Sequence, residues 1–347
     1  MIELTKEYID HLKDIITEKD DAKIKEILDE LYPADIAELY QELDLQEAIY
    51  LYLLMDGEKA ADVLMELDEE DRHVMVMCGM SAAFAALFGT PMAAAVFAME
   101  VVSVGVMYYT ALVPCIIASL IASGFAASMG INPEAFHVTS IPALTIESGI
   151  KMGIVALCCA GLSILFCMAL NGISAFYAKY LKNVYVRVVV ASVAIIVITK
   201  LLGTTDYMGA GTGLIAQAIE HGNVRTLDFF WKLVLTVLTM RAGFRGGEIV
   251  PSFCIGATFG CVLGHILGLS PSICAASGMV ALFCGVTNCP LTSILIAFEL
   301  FGFEGVSYYL IAVSISYAAS GYYGLYKDQT IVYSKYKAKY VNHHTKM

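Results

Sequence analysis

Charge is what this chain lacks over its longest stretches. From Val74 to Met129 the only charged residue is Glu100, which excludes a water-exposed domain there. The ten cysteines include no CxxC pair and no Cys/His cluster with zinc spacing, which excludes the common redox and zinc motifs. They lie mostly in apolar runs and are expected to be small buried hydrophobes. No Walker loop and no nucleophile–base constellation occurs, so no enzyme and no cofactor are expected, and no nucleic acid is expected as partner. The opening Met1-Ile2-Glu3-Leu4-Thr5-Lys6-Glu7 has neither a basic n-region nor an apolar h-region. It therefore does not read as a signal peptide, and membrane insertion is expected to be driven by internal spans.

What is present is apolar length. The 347 residues are 58% hydrophobic with a mean hydropathy of +0.70, above the roughly 45–50% apolar content of soluble domains. The net charge of −12 averages two unlike regions. Residues 1–73 hold 23 acids and 7 bases, whereas residues 74–347 hold 10 acids and 14 bases. A boundary is expected near Val74–Gly79, dividing an acidic cytoplasmic segment (1–75) from a membrane domain (76–335) and a basic cytoplasmic tail (336–347).

The acidic front reads as short amphipathic helices in repeated pairs. Pro33 marks a helix start before Ile36 and Leu39, and a similar unit follows around Ala60, Val63 and Leu64. The run Tyr32-Pro33-Ala34-Asp35-Ile36-Ala37-Glu38-Leu39, with Lys59-Ala60-Ala61-Asp62-Val63-Leu64, resembles the intracellular N domain of MgtE-type magnesium transporters over residues 24–73. That resemblance implies an Mg²⁺-responsive element. Asp62, Glu66, Asp68, Glu69 and Glu70 could supply oxygen ligands to a hard cation, and a solvated acidic face is the plainer reading of the same residues.

The region after Val74 is expected to hold two spans up to Met129, then spans near 149–178, 184–202, 228–240, 252–268, 272–302 and 305–323. Several are too short or too broken by Gly and Pro to cross fully, so tilted and discontinuous helices are expected. Two pieces match at an offset of 199 residues: Gly79, Met80, Ala82, Phe84, Pro91, Ala98 and Glu100 recur as Gly278, Met279, Ala281, Phe283, Pro290, Ala297 and Glu299. Internal repeats of this kind typify transporters. Buried membrane carboxylates are functional candidates by default, yet recurrence at equivalent repeat positions points to paired structural roles at helix ends for Glu100 and Glu299.

Gly243-Phe244-Arg245-Gly246-Gly247-Glu248-Ile249-Val250-Pro251 sits between two apolar runs. It sets a glycine-rich break and a helix start at membrane depth, tolerated only where protein buries it or it lines a cavity. A helix start offers unpaired N–H groups and a positive dipole end, and the natural guest is an anion.

These motifs carry a family resemblance. The glycine-rich segment with Gly256-Ala257, Cys289-Pro290-Leu291-Thr292-Ser293 with Phe298-Glu299, Thr90-Pro91 with Glu100, and Val332-Tyr333-Ser334-Lys335 together resemble the CLC chloride channel and transporter family over about 78–335. The resemblance implies an all-α polytopic membrane fold of tilted and broken helices, here preceded by a small soluble helical segment. It implies that the anion site is built at Gly247, Glu248, Ile249 and Pro251, with amides of Glu248 and Ile249 as donors and the Glu248 carboxylate turned away. Tyr333 is the expected hydroxyl ligand. The family commonly has Phe where Ile249 stands, and its GSGIP-like and GREGP-like loops are not seen before Gly79. Val101 stands where exchangers often carry a proton-transfer glutamate, so stoichiometric proton exchange is not expected.

The resemblance further implies a homodimer built from about 91–128 and 288–323, in a cell membrane. The basic run near Lys335–Tyr340 suits a cytoplasmic C-terminus, and both termini are expected to be cytoplasmic. His343 and His344 are expected in a disordered tail, and Trp231 with the tyrosines at 108–109 and 308–309 at the membrane interface. The leading expectation is passive transport of chloride or a related halide. The alternatives are a non-conducting truncated or regulatory homologue, a fluoride-handling member, and an Mg²⁺-responsive protein.

Overall fold

The computed structural model describes residues 6–131, 135–337 and 339–345. The segment Met1–Thr5, read for a leader, lies outside them. The chain divides into two compact units, residues 1–79 and 80–347.

The first unit is made of α1 (Lys6–Glu18), α2 (Asp21–Glu30), α3 (Pro33–Glu42), α4 (Leu45–Leu54), α5 (Gly57–Glu66) and the start of α6 (Glu69–Phe88). Short polar breaks start these helices. Asp20, Asp44 and Asp56 each stand at an N-cap and accept backbone N–H groups of the following turn, the preferred chemistry at that position. Pro33 opens α3. The apolar faces close on one core that includes Leu12, Ile24, Leu28, Ile36, Leu39, Leu51 and Val63. Among the described residues no group of three or more His, Cys, Asp or Glu side chains could hold a metal ion.

The second unit continues with α7 (Pro91–Glu100), α8 (Leu112–Ser128), α9 (Ile146–Tyr180), α10 (Val184–Leu202), α11 (Thr212–Glu220), α12 (Asp228–Ala242), α13 (Ile249–Leu267), α14 (Pro271–Thr287), α15 (Pro290–Phe301) and α16 (Val306–Ala319). Among the described residues four helices are long and apolar enough to cross a membrane: α8 with its preceding turn, α9, α10 and α13. The apolar run 272–302 is broken, as its glycines and proline predict: α14 ends at Asn288, held at φ +62°, and Pro290 opens α15.

At the centre, α13 packs on α14 through glycine. A Cβ on Gly256 would meet Gly278 O at 2.5 Å, one on Gly260 would meet Cys274 O at 2.1 Å, and one on Gly264 would meet Pro271 Cα at 2.8 Å. Small residues four apart thus let two backbones touch. All ten cysteines are free thiols, eight of them buried.

The repeat is visible as geometry. Gly89 and Asn288, 199 residues apart, both take positive φ (+67° and +62°) and end α6 and α14. Thr90 and Cys289 then cap α7 and α15 with matching backbone angles. Glu100, at the end of α7, accepts the backbone N–H groups of Leu291 (3.0 Å) and Thr292 (2.8 Å) and the Thr292 hydroxyl (2.7 Å) at the start of α15. Glu299, near the end of α15, accepts the N–H groups of Met92 (3.0 Å) and Ala93 (2.8 Å) at the start of α7. Each carboxylate caps the other repeat's helix, satisfying orphan donors and facing the positive end of its dipole.

A small sheet completes the unit. β1 (Ser103–Val104) pairs parallel to β2 (Thr330–Tyr333), which pairs antiparallel to β3 (Tyr340–His344). The expected disordered tail is therefore a strand over 340–344, because the exposed edge of β2 offers it a ladder. Tyr308 and Tyr309 are buried, and the Tyr308 hydroxyl donates to the Ser148 hydroxyl at 2.9 Å. Tyr109 is 72% exposed.

Candidate anion site

The glycine-rich segment behaves as its composition demands. α12 ends at Gly243, whose φ of +117° lies in the region that favours glycine. The chain then turns through Arg245-Gly246-Gly247 and enters α13 at Ile249. Ser252 N–H donates to Glu248 O and closes the first turn. The backbone N–H groups of Gly246, Gly247, Glu248, Ile249 and Val250 make no hydrogen bond with any described residue. Five consecutive donors without an acceptor, at the head of a 19-residue helix, form a positive end that needs a guest or solvent.

A cavity of about 650 Å³ adjoins this loop, walled by α10, α12 and the segment Tyr207–Ala210. Of the residues expected in the anion site, Gly247 and Pro251 line it, joined by Gly246 and Val250. Glu248 and Ile249 do not. The Glu248 carboxylate lies 3.2 Å from the Arg241 guanidinium, so its charge is neutralised beside the loop. Ile249, the first residue of α13, packs against the main core.

Tyr333 is not brought to this cavity. It ends β2, half-exposed, with its ring 5.9 Å from that of Tyr340. Its segment is held by neighbours: Gln329 Nε2 donates to Val101 O (2.9 Å) and Thr287 O (2.7 Å). The Lys335 ammonium donates to Asn288 Oδ1, to Ser320 Oγ (3.2 Å) and to Tyr317 O (3.3 Å). Glu100 and Glu299 occupy the reciprocal caps and do not line the cavity either.

Sequence reasoning missed a polar group in the cavity wall. Lys232 on α12 is 1% exposed, and its Nζ donates to Gly209 O (2.7 Å) and Tyr207 O (3.1 Å). Asp228, one turn earlier and also buried, accepts from the Tyr207 hydroxyl (2.7 Å) and the Arg225 N–H (2.9 Å). Together they fasten the loop 207–209 to α12. The signal was two charges four apart inside the apolar run 228–240.

Comparison with known proteins places these features in context. The sequence profile of the voltage gated chloride channel family matches residues 50–321. A chloride/fluoride channel protein of Pseudomonas syringae pv. tomato is 34% identical over 284 residues, covering 79% of this chain and 62% of that protein. The H(+)/Cl(-) exchange transporter ClcA of Vibrio cholerae is 24% identical over 255 residues, covering 69% of this chain and 54% of its own length. The chain thus spans less than two thirds of these relatives. Among solved structures, a CLC-type fluoride/proton antiporter matches with a TM-score of 0.72 at 27% identity, over 92% of this chain and 85% of that one. A slow cyanobacterial Cl⁻/H⁺ antiporter shares the fold, with a TM-score of 0.61 at 14% identity over 86% of this chain and 76% of that one.

Proposed function

The chain belongs to the voltage-gated chloride channel (CLC) family, and on that premise we propose that it carries a halide anion across a membrane, holding it at the glycine-rich loop that opens α13. The observation that carries the reading is the row of five backbone N–H groups, 246–250, without acceptors among the described residues, of which those of Gly246, Gly247 and Val250 belong to residues that line the cavity. An anion entering this space loses water, and the amides and helix dipole replace that hydration with fixed donors. Arg245 on the wall adds positive charge. The pairing of Glu248 with Arg241 keeps a carboxylate from cancelling that field. Fluoride is put first, because two of the matched proteins are described as handling it. Chloride is the alternative halide. Fluoride and chloride efflux from liposomes loaded with each salt tests the reading.

A second reading, a family member that does not conduct, is favoured by the separation of Tyr333 from the loop. A folded protein with no efflux of either halide would establish it. We further propose a homodimer in a multi-pass arrangement with cytoplasmic termini. The exposed apolar residues of α8, among them Val113, Ile117, Leu120 and Ile121, are one surface for it. Single-molecule photobleaching in bilayers counts the subunits. For the first unit we keep the proposal of a magnesium-transporter-type helical segment. It predicts that millimolar Mg²⁺ shifts its thermal stability, and no shift removes it.

A further inference from the structure

Among the described residues, Lys232 is the only lysine or arginine that is fully buried. Two of its three ammonium protons are used by the carbonyls of Tyr207 and Gly209. No carboxylate lies within 4 Å of it among the described residues, and Asp228 is turned to Tyr207 and Arg225 instead. Arg245 lines the same cavity, and no Asp or Glu does. A buried cation in a low-dielectric wall favours an anionic guest as counter-charge.

The rest of the wall is apolar, with Ile195, Ile196, Leu235 and Val250 prominent. A halide would leave most of the space empty. At ~30 Å³ per heavy atom, the volume share of a water molecule, about 650 Å³ holds roughly twenty heavy atoms. That is one long acyl chain with a small head, and less than half of a two-chain phospholipid. Pockets of this size, mostly apolar with a few convergent polar groups, are the usual form of ligand sites. One wall, α10, has only 6% of its apolar window buried inside the protein, so it faces the medium from which such a molecule would enter.

We propose that this cavity binds a single-chain carboxylate amphiphile, a long-chain fatty acid, with its head at Lys232 and its chain between α10 and α12. The compact ammonium of Lys232 suits a carboxylate head, and the size of the space suits one chain. The bound chain would cover Gly246 and Gly247 and so block the anion. This second half rests on the transport reading; the binding does not.

The test is native mass spectrometry of the purified protein with oleate, with oleyl alcohol and acetate as controls, beside halide efflux from liposomes. Oleate is expected to bind one per chain, and the alcohol and acetate about tenfold more weakly or not at all. Lys232→Met should lose about tenfold in affinity, while Lys232→Arg keeps most of it. Because Lys232 also tethers Tyr207–Gly209, the methionine variant can fail to fold. Ile195→Trp fills the cavity without touching the lysine and should also abolish binding. Equal binding of acid and alcohol, or undiminished oleate binding to Ile195→Trp, overturns the site. Oleate should suppress efflux in the wild type, while Ile195→Trp, which fills the space the anion also uses, is read by binding alone. Binding without suppression overturns the blocking role alone. Absence of halide efflux from the wild type sinks the transport reading, and the mass spectra still decide the site.

Discussion

Replacing Glu100 with glutamine tests the reciprocal caps. The carboxylate takes three donors: two backbone N–H groups and the Thr292 hydroxyl. A glutamine offers one oxygen, and its NH₂ must then face a donor. At least one buried N–H loses its acceptor, and the remaining bonds lose their charge. Hydrogen bonds to charged groups contribute about 1.5–3 kcal/mol each, and a stranded buried donor costs about 1–3 kcal/mol. Glu100→Gln is therefore expected to cost about 3–5 kcal/mol. Glu299 takes only two donors and is less buried, so Glu299→Gln should cost about 2–3 kcal/mol. Unfolding in mixed micelles, followed by circular dichroism, measures both. Because the two carboxylates fasten the same helix pair, the double variant should lose less than the sum of the singles. A Glu100→Gln protein within ~0.5 kcal/mol of wild type, or Glu299→Gln more damaging than Glu100→Gln, would refute the reasoning.

Gly260→Ala should prevent close packing of α13 on α14 and yield little folded protein by size-exclusion chromatography, because its Cβ would overlap Cys274 O. Gly172→Ala on α9, with nothing within 4 Å, should be neutral or stabilise by up to about 1 kcal/mol. Arg241→Gln should leave the Glu248 carboxylate unpaired beside the loop and weaken halide binding by calorimetry, while Glu248→Gln in the same background restores it. In the first unit, the Tyr50 hydroxyl donates to Asp21, and this bond pushes the phenol up to about 12. The folded phenol holds its proton more tightly than the unfolded one, so the contribution is complete below an unfolded pKa of ~10. It is lost as pH rises through about 12. Ultraviolet titration of Asp21→Asn should show Tyr50 ionising at lower pH than in the wild type.

Several features are legible in the sequence itself. The 199-residue repeat foretold paired roles for Glu100 and Glu299, since Pro and Glu at fixed spacing mark a helix start and a helix end. Which helix start each carboxylate meets is a tertiary fact that spacing along one chain does not encode. The break at Asn288–Pro290 and the loop at 243–251 were readable because Gly and Pro act locally. Lys232 was overlooked because mean hydropathy dilutes one lysine among apolar neighbours. Packing of α16 against α9 and α14 buries Tyr308 and Tyr309, a tertiary fact that residue type alone does not encode. Residues 340–344 read as tail because basic polar composition suggests disorder, and the ladder offered by β2 overrides it. The profile match beginning at residue 50 overlaps the acidic front, so composition alone does not mark where the family relationship starts.

The central claim is that the amides opening α13 hold the anion. Fluoride and chloride efflux from liposomes, compared between the wild type and Ile249→Pro, tests it most directly. Ile249 is the first residue of α13; proline there removes one N–H and also disfavours the helical backbone angles of Glu248, φ −92° and ψ −14°. The account predicts efflux from the wild type that the variant loses while remaining folded. Equal efflux from both proteins would contradict it.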